Sequence, residues 1–180
     1  MEDKAKLLKI FHKFGCKLED DAIKFKRMSF KPKTTAYSKL TVLNFLRSIT
    51  EQQNIYSMYD SEYYLTSIEN WKTIAKEDLL NLQKYMQPTL DCDKYARMFQ
   101  AKSSITYGLN SCSMATAKCI DEKSGGLIAH AFNLIITVEE GVFHAYVYEP
   151  QTDCFKEYKK GDTILDNPQW NYGNLSWVSL

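Results

Sequence analysis

Two hydrophobic spacings divide the chain. In the first half, apolar residues recur at helical intervals: Leu7, Leu8, Phe11, Phe14, Leu18, Ile23 and Phe25 across residues 3–28, with a break near Gly15 that suggests two short helices. Leu40, Leu43, Phe45, Leu46 and Ile49 repeat the pattern over residues 38–49, after a turn at Pro32. Ile68, Trp71, Ile74, Leu79, Leu80, Leu82 and Tyr85 carry it over residues 67–86. Residues 52–64, with Tyr56, Tyr59, Tyr63 and Tyr64, fit a surface loop or an irregular helix equally well.

Pro88 and Thr89 end the third helical stretch, and LDCDKYARMFQA starts another, with Asp or Thr available as its N-cap. A glycine-containing, small-residue stretch fills residues 108–126. Beyond it the period becomes two. AHAFNLIITV, a turn at Glu140 and Gly141, and VFHAYVYEPQ read as a hairpin, and residues 154–158 and 175–180 as two further short strands. Helices first and strands last predict an α+β fold: N-terminal helices (1–87) on a C-terminal antiparallel sheet (88–180), in one domain spanning 1–180.

Bulk properties narrow the setting. At 180 residues the chain is long enough for one sizeable core. Its 44% hydrophobic and 25% charged residues are those of a folded protein. A net charge of +1 offers no global field for nucleic acid or an anionic membrane, so neither is expected as a partner. Charges interrupt the N-terminal apolar residues too often for a signal peptide, and no run is long enough to span a membrane. Cys16, Cys92, Cys112, Cys119 and Cys154 are odd in number and widely spaced, with no CxxC, which predicts reduced thiols in the cytoplasm and little prospect of zinc.

Cys92 falls in the first turn of its helix, where unpaired N–H groups and the helix dipole favour a thiolate. It also heads the apolar stripe Tyr95, Ala96 and Phe99, so an inert buried cysteine is the alternative. Asp91 and Asp93 beside it would cap the helix or hold a cation. On the hairpin, a two-residue turn sets His130 opposite Gln151 and Glu149 opposite Phe132, making Glu149 a diagonal neighbour of His130. A carboxylate there can fix the imidazole's tautomer and stabilise its protonated form. His144 falls on the opposite face from Glu149.

The linked motifs DCDKYA (91–96), AHAFNLII (129–136) and YEPQT (148–152) resemble the papain-like, calcium-dependent cysteine protease domain of the mushroom agglutinin chimerolectins, and related small bacterial and phage proteins. The resemblance covers the C-terminal half, from Leu90. It implies a papain-like fold with Cys92 as nucleophile, His130 as general base, Glu149 as orienting acid and Gln151 lining the site. DCxxYA followed by an HA strand is also similar to bacterial transglutaminase-like cysteine proteinases, which agree on Cys92 and His130 and differ on the third residue. The lectin domain of the mushroom proteins has no counterpart here, so sugar binding is not implied. Lys94 stands where many relatives carry an acid, which weakens the implied calcium site at Asp91 and Asp93. For an oxyanion donor, Gln87 is nearest, with Gln83 behind it and the Cys92 backbone N–H as a further donor.

The expectation is a cysteine peptidase or amide hydrolase with a Cys92–His130–Glu149 triad and an acyl-enzyme, acting on a peptide or protein. It requires no cofactor, with calcium a candidate. The alternatives are a non-catalytic papain-like binding or virion protein, and a transglutaminase-like acyltransferase.

Overall fold

The structure is a computed structural model that describes residues 30–50, 55–87, 89–121, 127–161, 166–167 and 170–179. The helices expected over residues 3–28 lie outside these. Pro32–Leu180 forms one compact unit.

Strand β1 (Thr35–Ser38) pairs antiparallel with β3 (Glu62–Leu65), from Thr35 opposite Leu65 to Ser38 opposite Glu62. Between them, Ser38 caps α1 (Lys39–Ile49) by accepting the Thr41 N–H at 3.2 Å, a side-chain oxygen meeting one of the helix's orphan donors. One helical turn apart, Val42 and Leu46 are buried. The tyrosine-rich stretch left open above is largely extended, since β2 (Ile55–Ser57) and β3 both fall within it.

Helix α2 (Ile68–Asp78) is capped by Ser67 and buries Trp71, Ile74, Ala75 and Asp78. It stops well short of residue 86, although apolar spacing continues. The Asp78 carboxylate accepts the Leu80 N–H at 2.6 Å, and Leu79 turns left-handed at φ 60°. A side chain that binds the backbone two residues on competes with the next helical turn. A short 3₁₀ turn (Leu80–Leu82) follows, then a tight turn closed by Met86 and Leu90. Helix α3 runs from Cys92 to Tyr107.

The described strands β4 (Cys112–Asp121), β5 (Leu127–Glu139), β6 (Val142–Glu149), β7 (Cys154–Tyr158), β8 (Asp166–Asn167) and β9 (Trp170–Ser179) join β2 in one seven-stranded sheet. Its order is β2-β9-β4-β5-β6-β7, with β8 on β9. The sheet is antiparallel except where β2 runs parallel to β9. Two expectations change. The small-residue stretch contains an interior strand, β4, and β9 starts at Trp170 instead of residue 175. Small residues in β4 leave room for α3, whose Ala96 packs on Met114 and Ala131.

On the other face of the sheet, Ala115, Ala117, Phe132, Leu134, Ile136, Ala145 and Val147 pack with Val42 and Leu46 of α1 and Tyr63 and Leu65 of β3. Burying a Leu or Phe side chain contributes about 1.5–3 kcal/mol. The architecture is α+β, with helices on a predominantly antiparallel sheet.

Candidate functional site

Cys92 opens α3. Asp91 occupies the N-cap position with extended backbone, yet its side chain makes no capping bond. That carboxylate instead pairs with Lys94 Nζ at 2.8 Å, and Lys94 also holds Asp93 at 3.0 Å. The Lys94 ammonium therefore stands between the two acids where the sequence suggested calcium. Among the described residues no group of three or more His, Cys, Asp or Glu is placed to hold a metal. Cys92 is half-buried at the N-terminal end of α3, where the helix dipole favours a thiolate and the Asp91 charge opposes it. Asn133 fixes the helix on the sheet, donating to the carbonyls of Ala96 (2.9 Å) and Ser113 (3.1 Å).

His130 and Glu149 come from the hairpin. Its ladder runs from Glu139 opposite Val142 to Asn133 opposite Tyr148, the register that a two-residue turn at Glu140 and Gly141 dictates. His130 Nε2 lies 2.6 Å from Glu149 Oε2. The other carboxylate oxygen of Glu149 accepts the Gln151 backbone N–H at 3.1 Å and its side-chain amide at 3.3 Å. Glu149 is only 4% exposed, so these donors replace the water it has lost.

The Cys92 thiol meets the His130 ring and the Ala131 backbone N–H. Burial alone would push the thiol up, but the hydrogen bond from His130, the Ala131 N–H and the imidazolium charge outweigh it and hold Cys92 below its ordinary value. Burial would likewise lower His130, yet its bonds to Cys92 and Glu149 and their charges raise it to about 9. The two shifts favour a thiolate beside an imidazolium over the neutral pair. Fully buried Cys112 is pushed the other way, by desolvation.

The two glutamines assigned to substrate face inward or sideways. Gln151 is bound to Glu149, and the exposed Gln87 donates its amide to Tyr85 Oη at 3.1 Å. Gln83 contributes its carbonyl, which accepts from Tyr95 Oη at 2.6 Å. His144 pairs with Glu157 at 3.0 Å. Two further participants have little or no signature in the sequence. The Ala131 N–H has no side-chain signature. Asp153 sits at φ 53° and accepts from Tyr148 Oη (2.8 Å) and Asn81 Nδ2 (2.7 Å); its only sequence signal was a place in the turn after Glu149.

A helix bearing a cysteine at its N-terminus, laid on a sheet that presents a histidine and a carboxylate, is a papain-like α+β fold. Two of the solved structures that it matches are of the mushroom agglutinin chimerolectin kind. One is a PSL1a–E64 complex, at TM-score 0.55 and 18% identity over 81% of this chain and 50% of that one. Another is the Polyporus squamosus lectin bound to the human-type influenza-binding epitope Neu5Aca2-6Galb1-4GlcNAc, at TM-score 0.56 and 16% identity over 81% of this chain and 49% of that one. The chain spans about half the length of each. No family model and no curated protein matches it.

These findings correct the hydrolase expectation. The matched structures are described by what they hold, E64 in one and a sugar epitope in the other, and neither by a reaction. Of the side chains that the sequence offered toward a substrate, Gln151 and Gln87 bond Glu149 and Tyr85 in this structure. Removing one oxyanion donor from a peptidase, thiol protease or amide hydrolase lowers its rate by about 10²–10³. The proximity of Cys92, His130 and Glu149 is therefore an arrangement of charge and hydrogen bonds, and the terms hydrolase and catalytic triad do not follow from it.

Proposed function

We propose that the chain is a non-catalytic binding domain of papain-like fold, which holds a ligand against the Cys92–His130–Glu149 network without turning it over. The observation that supports this is the commitment of both glutamine amides to internal partners, Gln151 to Glu149 and Gln87 to Tyr85. What remains at the site is a thiol held below its ordinary pKa, the N-terminal end of α3 and an imidazolium braced by a buried carboxylate. Such a site suits a polar ligand with groups that accept hydrogen bonds, on a peptide-like molecule or a sugar.

E64 and the sialylated trisaccharide are the first probes, since proteins of similar fold hold them. Mass spectrometry and calorimetry on wild type and Cys92→Ala should find E64 held at about one molecule per chain only when Cys92 is present. Incubation with a mixed peptide library should give no multiple turnover. Cleavage of many peptides per chain, abolished by Cys92→Ala, would overturn the binding reading.

A further inference from the structure

We propose that Asp153 is a positioning residue that sets the reactivity of Cys92. It rests on the reading above only in taking Cys92 as the group that meets the ligand. The chain of contacts is continuous. Asp153 occupies the left-handed region at φ 53°, where an L side chain is strained and where Asp is one of the few residues tolerated. Its two carboxylate oxygens are each taken, one by the Tyr148 hydroxyl at 2.8 Å and the other by the Asn81 amide at 2.7 Å. Tyr148 is fully buried, stacked on Phe155 at 4.4 Å and packed on Phe99 of α3 at 4.4 Å. Asn81 belongs to the 3₁₀ turn that follows α2. Asp153 therefore locks the β6–β7 turn to two elements that the chain reaches 72 and 5 positions away.

That turn carries the support of Glu149. Within it the Thr152 N–H donates to the Glu149 carbonyl at 3.2 Å, and both donors of Gln151 reach Glu149 Oε1. If the turn loosens, Gln151 leaves Glu149, the carboxylate is free to rotate, and its 2.6 Å bond to His130 lengthens. A histidine less firmly held in orientation is a poorer partner for the thiolate. Such a shell of supporting groups acts through geometry, and a buried site tolerates little looseness.

The test follows alkylation of Cys92 by iodoacetamide from pH 5 to 10 in the full chain, mapped by mass spectrometry. A Cys154→Ser background removes the exposed thiol beside the mutated position. No ligand is added, so failure here is separable from failure of the binding reading. Asp153→Ala should move the alkylation midpoint of Cys92 upward by about half a unit or more, slowing the reaction about threefold at pH values below the midpoint. Asp153→Asn accepts the same backbone conformation and keeps an oxygen for Tyr148, and should restore the wild-type profile. If Asp153→Ala fails to fold, Asp153→Gly replaces it, because glycine adopts this φ without strain. Loss of charge alone would move the midpoint downward in every variant, since a nearby anion opposes thiolate formation. A downward shift in Ala and Asn alike would overturn the proposal. So would an unmoved midpoint in a variant whose melting temperature has dropped, which would make Asp153 structural only.

Discussion

His130 Nε2 and Glu149 Oε2 lie 2.6 Å apart although 19 positions separate them in the chain. The turn at Glu140 and Gly141 makes them diagonal neighbours on adjacent strands, and both side chains are largely withdrawn from water. Removing the acid strands the imidazole: Glu149→Ala should destabilise the fold by about 3 kcal/mol in urea. His130 should then titrate below its present value of about 9, because the bond and charge of Glu149 are lost while burial still opposes protonation. Glu149→Gln keeps an acceptor oxygen and should cost about half as much. Unfolding midpoints together with an NMR titration of the imidazole decide the matter; an unmoved His130 would sink it.

The thiolate–imidazolium pair predicts an unusual pH profile of stability. His130 is raised above its ordinary 6.5, so its contribution is complete below 6.5 and lost as pH climbs through about 9. Cys92 is lowered from 9.0, so its contribution is complete above 9.0 and lost as pH falls through its folded value. Above both 6.5 and the folded value of Cys92, and up to about 9, the folded pair keeps one proton, on the imidazole, and the unfolded pair keeps one, on the thiol. Equal proton counts mean a level profile for this pair. Cys92→Ala removes the compensation, and its stability should decline with rising pH from 6.5, by at most about 1.4 kcal/mol per unit. Parallel, level profiles in wild type and variant would contradict the ionised pair.

Lys94 bonded to both Asp91 and Asp93 makes a prediction about calcium. Replacing it with Ala leaves two neighbouring carboxylates without their ammonium. Millimolar calcium should then raise the melting temperature of Lys94→Ala more than that of the wild type. A larger rise in the wild type would show that Lys94 does not block the acids.

At the hairpin, Glu140 at φ 51° and Gly141 at φ 83° form a turn with both residues left-handed, which favours Asn-Gly. Glu140 is exposed, so Glu140→Asn removes strain without disturbing the core. It should stabilise by about 0.5–1 kcal/mol, visible as a rise of about 1–4 °C in melting temperature. A fall would mean that the Glu140 side chain has a role of its own.

Sequence by itself determined what depends on short-range rules. Alternation along β5 and β6, with a two-residue turn between them, decided which face His130 and Glu149 share and how far apart they lie, because register in a hairpin follows from turn length. The start of α3 at Cys92 was likewise readable from Pro88, Thr89 and the acids before it. Other features were decided by tertiary structure. Small residues between Gly108 and Gly126 gave no strand signal, yet β4 lies inside the sheet, since what it needs is space for α3 and two neighbouring strands to pair with. Asp78 ended α2 where hydrophobic spacing continued, because one side-chain oxygen captured the Leu80 N–H. Chemical role was the least legible. Residue types and order suggested a hydrolase, but whether Gln151 and Gln87 face a ligand or an internal partner depends on where a turn and a loop come to rest. Those positions are set by contacts such as Asp153 with Asn81, 72 positions apart, and no local pattern encodes them.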